Sequence, residues 1–121
     1  MNHTSIFNIP RLFRTLYYSL RGLITAFKTE TAFRQELVLC ILFIPLAFYV
    51  GHSLAEKVVL IFSIFLILIV ELINSAIEAI VDRIGREHHE LSARAKDISS
   101  AAVLIALVNA GVVWILVLVL R

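Results

Sequence analysis

Residues 98–120 carry no Asp, Glu, Lys or Arg, and neither do residues 37–55 or residues 58–70. A helix needs about 20 mainly apolar residues to cross a hydrocarbon core of about 30 Å. A chain of 121 residues with three such runs cannot hide them in water, because its surface-to-volume ratio is too high. The chain is 60% AVILMFWYC and only 17% charged, where soluble domains carry about 25% charge. The excess apolar surface therefore belongs in a bilayer. That excludes a nucleic-acid-binding module, a secreted disulfide scaffold and an ordinary cytosolic enzyme. The short length also excludes most nucleotide-binding folds, which need a large sheet. A formal charge of +2 is too small to mark a polyanion-binding surface. Cys40 is the single cysteine, so no internal disulfide and no cysteine metal cluster is expected. The N-terminal MNHTSIFNIPRLFR has no apolar h-region and no A-x-A site, so no cleavable signal peptide is expected.

The pattern predicts an all-α membrane protein of one domain, with a surface helix over residues 8–28 and spans over 31–51, 55–85 and 96–120. In the first segment Ile9, Leu12, Phe13, Leu16, Leu20, Leu23, Ile24 and Phe27 recur at helical spacing, with Arg11, Arg14 and Arg21 outside the stripe. Asn8 can cap this helix and Pro10 is tolerated in its first turn. A basic amphipathic helix of this kind lies in the membrane interface; packing on a partner helix is the plainer alternative. Pro45 is expected to kink the first span, Gly51-His52-Ser53 reads as a tight turn, and Gly85 as a helix stop. The charged REHHELSARAKD of residues 86–97 reads as a loop before the third span. Arg11, Arg14, Arg21, Lys28 and Arg34 precede the first span, Lys57 alone lies between the first two, and Arg83, Arg86, Arg94 and Lys96 lie between the last two. The positive-inside rule then makes the N-terminus and residues 82–97 cytoplasmic.

Chemistry enters in the middle span. Glu71, Asn74, Glu78 and Asp82 follow an uninterrupted apolar run. At about 100° per residue they fall within roughly 80° of one helix face, and Ile73 and Ile80 occupy the other. A charge at mid-bilayer costs at least about 2.5–3.5 kcal/mol, so these acids must face protein, a metal or water. Counted from Val58 at about 1.5 Å per residue, Glu71 lies about 20 Å in from the outer side and about 10 Å below the cytoplasmic boundary. Glu78 then lies near the boundary and Asp82 beyond it. Such a stripe can touch a lipid headgroup and a cytoplasmic substrate together. A partly buried carboxylate can serve as general base toward a lipid hydroxyl, and one nearer water can hold Mg²⁺. The plainer alternative is a polar seam pairing with Arg or Lys in an oligomer.

Other polar residues read locally. Glu30 and Arg34 have the spacing of an i,i+4 surface pair. His88 and His89 are adjacent, point to different sides and suit a solvated loop. Lys96 and Asp97 read as a helix-start charge pair, and Asn109 as an interhelical hydrogen bond. Cys40, His52 and Trp114 read as packing, loop and interfacial anchor. Neither G-x-x-x-x-G-K-[ST] nor G-x-G-x-x-G occurs, so spacing alone gives no argument for ATP.

Residues 71–85, ELINSAIEAIVDRIG, resemble the signature of the prokaryotic diacylglycerol kinases, E-x-x-N-[ST]-A-x-E-x-x-x-D. TAFRQE at 31–36, HELSARAKD at 89–97, SSAAVLIA at 99–106 and Tyr18-Ser19-x-x-Gly22-Leu23 are similar to the same family, so the likeness covers nearly the whole chain. NSAIEAIVDRIG and HELSARAKD stand closer to its lipid-kinase branch than to its undecaprenol-kinase branch. Leu20, Tyr17 and Asn109 depart from the residue types usual in that branch, which bears on chain preference and span packing.

The resemblance implies a homotrimeric bundle in a bacterial inner membrane, and the small size of the subunit points to sites composite across subunits. The reaction it implies moves the γ-phosphoryl group of MgATP to the primary hydroxyl of diacylglycerol, giving phosphatidic acid. By the same resemblance Glu71 takes the place of the base and Asn74 of an active-site polar residue, while Glu30 and Glu78 take the places of Mg²⁺ ligands. Arg11, Tyr18, Glu30, Glu78, Glu87, His88, His89, Lys96 and Asp97 match the nucleotide's surroundings. Arg11, Ala32, Phe33, Arg34, Gln35, Glu36, Glu71 and Ser100 match the lipid-contacting region. Two readings compete. One is the same chemistry on undecaprenol or another lipid alcohol. The other is a small proton-coupled transporter with Glu71 at the bundle centre, although transporter sites belong near mid-membrane and this stripe continues into a charged segment. A non-catalytic interaction protein would leave the costly acids unexplained.

Overall fold

The computed structural model describes residues 6–121 as four helices, α1 Ile9–Thr29, α2 Thr31–Val50, α3 Leu54–Ile84 and α4 Glu90–Val119, with no strand among them. The last three are long and apolar enough to cross a membrane. Asn8 caps α1 as expected, its Oδ1 accepting the Arg11 N–H at 3.1 Å, and Pro10 sits in the first turn. The apolar stripe of α1 is exposed along its length, and Ala26 is the one buried residue of that helix. The stripe therefore remains available to the membrane interface. Arg21 lies over the Tyr17 ring, 5.7 Å from its centre.

Glu30 closes α1 and opens α2 in a one-residue break of extended backbone. The Arg34 side chain holds this elbow together. Its Nη1 donates to the carbonyls of Phe27 (2.8 Å) and Lys28 (3.2 Å), and its Nη2 to Thr31 Oγ1. Carbonyls at a helix end lack partners within the helix, and a guanidinium fork satisfies two of them at once. The ion pair expected between Glu30 and Arg34 does not form, because Arg34 is engaged as the C-terminal cap of α1.

Gly51, His52 and Ser53 make the expected turn between α2 and α3. Gly51 is buried, and a Cβ there would come within 2.6 Å of Lys57 Cγ and 2.9 Å of the Ala47 carbonyl oxygen, so the close approach requires glycine. Ser53 Oγ accepts from Glu56 N–H, and Glu56 Oε2 accepts from His52 N–H at 2.6 Å, an arrangement close to a capping box. Arg121 joins the same turn, reaching Glu56 Oε2 and the Val50 carbonyl. α2 stays helical through Pro45.

α4 starts earlier than expected. Residues 90–97 are helical rather than loop, and the connection shrinks to residues 85–89. The cause is local: His89 Nδ1 accepts from Leu91 N–H at 3.1 Å, and Glu90 places a negative charge in the first turn. At the other end α3 stops at Gly85, as predicted.

The core lies between α2, α3 and α4, around Cys40, Ile64, Ile67, Ala106 and Ala110. The alanines at i and i+4 on α4 let that backbone approach α3 closely, as small residues do between spans. Trp114 corrects another expectation. It turns into the bundle instead of anchoring at the interface, meeting Phe43 edge-on at 5.2 Å and donating from Nε1 to Ser63 Oγ at 3.1 Å. Ser63 is fully buried and its own O–H donates to the Leu60 carbonyl. Ser63→Ala would leave the indole N–H without a partner away from water. We expect a loss of about 1–3 kcal/mol, read as a lower unfolding midpoint of the micelle-bound protein; an unchanged midpoint would show the bond to be dispensable.

Candidate active site

The predicted face of α3 is the one that turns inward. Glu71 and Asn74 are buried at 4% and 8% exposure, Glu78 is half-buried and Asp82 is exposed. Ile73 and Ile80, on the opposite side, are exposed. The stripe thus grades from bundle interior to open surface over three helical turns, as the cost of charge burial demands.

Four carboxylates gather along it. Glu71 lies within electrostatic range of Glu78 and of Glu30 at the α1–α2 elbow, and Glu36 of α2 lies within range of Glu71. Glu36 is buried, and its Oε2 has no hydrogen-bond partner. Like charges held together in this way repel, and the arrangement calls for a cation or bound donors. Among the described residues, no three His, Cys, Asp or Glu side chains converge tightly enough to hold a metal by themselves. Mg²⁺ does not require such a cage, since one or two carboxylates plus substrate phosphates and waters complete its shell. The oxygen donors Glu30 and Glu78 fit that pattern.

The remaining predicted residues divide between two clefts, the elbow and positions outside them. Tyr18 and Glu30 line a cleft of about 860 Å³ between α1 and α3, whose α3 wall includes Leu72, Ser75 and Ala79. Glu87, His88, His89 and Lys96 line a second cleft of about 240 Å³ at the α3–α4 connection, together with Asp82. Lys96 does not pair with Asp97 as expected. Its Nζ donates to Asp82 Oδ1 at 2.6 Å, tying the charged end of α3 to the start of α4. Both partners are about half exposed, so the bond contributes little to stability and can yield to a ligand. Arg11, Asp97 and Ser100 are exposed and border neither cleft. In the 32–36 segment Phe33 and Glu36 face the bundle, Ala32 and Gln35 face outward, and Arg34 is the elbow cap.

Two serines were missed. Ser99 of α4 is buried and lies 2.7 Å from Asn74 Oδ1. Ser75, one turn after Glu71 on the same face, has a buried hydroxyl without a partner. The signal for Ser75 was its place inside the 71–85 motif. Nothing in the sequence singled out Ser99 from its neighbour Ser100.

The family profile described as prokaryotic diacylglycerol kinase matches residues 17–118. A diacylglycerol kinase of Haemophilus influenzae is 51% identical over 106 residues, covering 88% of this chain and 90% of that one. One of Escherichia coli K12 is 48% identical over 117 residues, covering 97% of this chain and 94% of that one. One of Pseudomonas aeruginosa is 46% identical over 110 residues, covering 91% and 89%. With identity at this level over nearly its whole length, and three helices able to cross a membrane, the chain is a membrane kinase that belongs to the prokaryotic diacylglycerol kinase family.

Proposed function

We propose that this kinase phosphorylates diacylglycerol in the bacterial inner membrane, taking the γ-phosphoryl group from ATP, with Glu71 as general base. The observation that carries the reading is the graded stripe, with Glu71 buried among apolar span residues and Asp82 exposed about three turns further on. A lipid hydroxyl arriving from the bilayer and a phosphate arriving from water can meet only on such a face. The relatives named diacylglycerol kinase supply the substrate. The basic residues flanking the spans favour a cytoplasmic N-terminus and a cytoplasmic α3–α4 connection, the side on which ATP is found.

The chemistry asks little of the protein beyond position and charge. The Glu71 carboxylate takes the proton of the primary hydroxyl as its oxygen attacks the γ-phosphorus. The bond from phosphorus to the β–γ bridging oxygen breaks, and its electron pair leaves with ADP. Phosphatidic acid and a protonated Glu71 remain, and the proton returns to water. Asn74 is a polar contact beside that base. Glu30 and Glu78 would hold Mg²⁺, which would offset phosphate charge. Lys96, His88, His89 and Glu87 would meet the nucleotide from the α3–α4 cleft and Tyr18 from the α1–α3 cleft, while Arg11 and Asp97, which border neither, are assigned to it by the family likeness alone. Ala32, Gln35, Ser100 and the exposed stripe of α1 would meet the lipid, while Phe33 and Glu36 line the bundle side of the same segment and Arg34 holds the elbow.

Labelled MgATP offered to diacylglycerol and to undecaprenol in mixed micelles tests the reading. Transfer to diacylglycerol is expected to dominate and to fall by at least about a hundredfold in Glu71→Gln. Preferential transfer to undecaprenol would reassign the substrate. A Glu71→Gln chain with most of its activity would remove Glu71 as the base.

We also propose that the enzyme is a homotrimer with sites shared between subunits. The broad exposed apolar faces of α2 and α4, and the places of Arg11, Asp97 and Ser100 outside both clefts of a single chain, favour this. Mixing Glu71→Gln chains with Lys96→Ala chains, inactivated on α3 and on α4 and each inactive alone, is then expected to recover a fraction of the activity. No recovery at any ratio would mean self-contained sites.

A further inference from the structure

Ser99 has no part in the mechanism above. It is buried on α4, with its Oγ 2.7 Å from Asn74 Oδ1 on α3 and 3.0 Å from the Lys96 carbonyl oxygen of its own helix. On the other side of the same amide, Asn74 Nδ2 stands 3.5 Å from Glu78 Oε1. A serine hydroxyl has one proton to give, and an asparagine amide offers an acceptor oxygen and a donor nitrogen on opposite sides.

Two arrangements fit these positions. If Ser99 donated to the Lys96 carbonyl, it would accept from the amide nitrogen, and the amide oxygen would face the Glu78 carboxylate. Two electron-rich oxygens would then oppose each other in a poorly solvated place, where electrostatic terms are large. If Ser99 instead donates to Asn74 Oδ1, the amide NH₂ faces Glu78. Charge selects the second arrangement. The serines and threonines of α1 offer a contrast, since Thr15, Ser19 and Thr29 all bond back to carbonyls of their own helix. Ser100, next in the chain, is exposed and cannot replace Ser99.

We infer that Ser99 is a positioning residue: it fixes the orientation of the Asn74 amide so that its NH₂ faces Glu78 and the carboxylate stripe. The inference deepens the phosphoryl-transfer reading and rests on it for its effect on turnover, while the orientation itself is a matter of geometry.

The test uses the full chain in micelles, with steady-state kinetics and side-chain resonances as the two readouts. Ser99→Ala is expected to lower kcat about tenfold, the effect of one lost hydrogen bond felt at the transition state. The half-saturating lipid and ATP concentrations are expected to move by less than about twofold. The same variant should shift the Asn74 side-chain resonances in ¹⁵N-asparagine-labelled protein. Ser99→Thr, which keeps the hydroxyl, should regain most of the rate. Ser99→Ala should cost little more in an Asn74→Ala background, because the two residues act as a unit. A wild-type rate from Ser99→Ala would overturn the inference. So would a Ser99→Thr chain as slow as Ser99→Ala, or an undiminished penalty in the Asn74→Ala background. Should Ser99→Ala fail to fold, Ser99→Cys keeps the volume with a weak donor, and a wild-type rate from it would overturn the inference equally. Glu71→Gln separates the two readings: full activity there would remove the base while leaving the Ser99-dependent resonance shift in place.

Discussion

An ionised carboxylate in hydrocarbon is unfavourable by several kcal/mol, and apolar packing cannot compensate it in place. α3 nonetheless carries Glu71 buried within a helix able to cross a membrane, and brings Glu30, Glu36 and Glu78 near it. The rest of the architecture answers that constraint. The acids share one face, the face turns into the bundle, and it opens progressively toward Asp82. Ile73 and Ile80 take the opposite side. Repulsion among ionised carboxylates held this close is relieved by a bound cation or by hydrogen-bond donors.

The elbow at Glu30 matters for the same reason. Without a break there, α1 would continue along α2 and carry Tyr18 away from α3. The single extended residue turns the chain, and Arg34 satisfies the exposed carbonyls at the end of α1. The result is a cleft walled by α1 on one side and by Leu72, Ser75 and Ala79 on the other, with Glu30 at its edge. On the opposite flank the bond from Ser99 to Asn74 and the bond from Lys96 to Asp82 tie α4 to the polar half of α3. The stripe is therefore bordered by a buried, hydrogen-bonded flank and by an open one.

Periodicity made much of this legible. Three apolar runs announced the spans, the basic amphipathic segment announced α1, and the i, i+3, i+7, i+11 spacing placed Glu71, Asn74, Glu78 and Asp82 on one face before any coordinates. The cost of burying charge ranked their depths in the order in which burial falls. What was not legible depends on partners distant in sequence. Lys96 bonds Asp82, 14 residues away, and not its neighbour Asp97. Trp114 finds Ser63 across the bundle, 51 residues away. Ser99 differs from Ser100 only in the way α4 is rotated against α3. The early start of α4 was hidden because charged residues in a first turn look the same as a solvated loop until His89 is seen to cap it. Glu30 has the local spacing of half a surface pair, and only the fold of the elbow brings it to the α1–α3 cleft.

The central claim is one of depth: Glu71 must lie below the cytoplasmic headgroups but short of mid-bilayer. Spin labels on the exposed apolar residues of α3, at Phe62, Ile69, Ile73, Ile80 and Ile84, measure it directly in a Cys40→Ala background. Their relative accessibility to oxygen and to an aqueous nickel chelate reports how far each lies from the phosphates. At about 1.5 Å per residue across a core of about 30 Å, the deepest label is expected near Ile69, with Ile80 at the headgroups and Ile84 in water. A depth maximum at Ile73 or beyond would put Glu71 at the bilayer centre, out of reach of a headgroup hydroxyl, and would contradict the account.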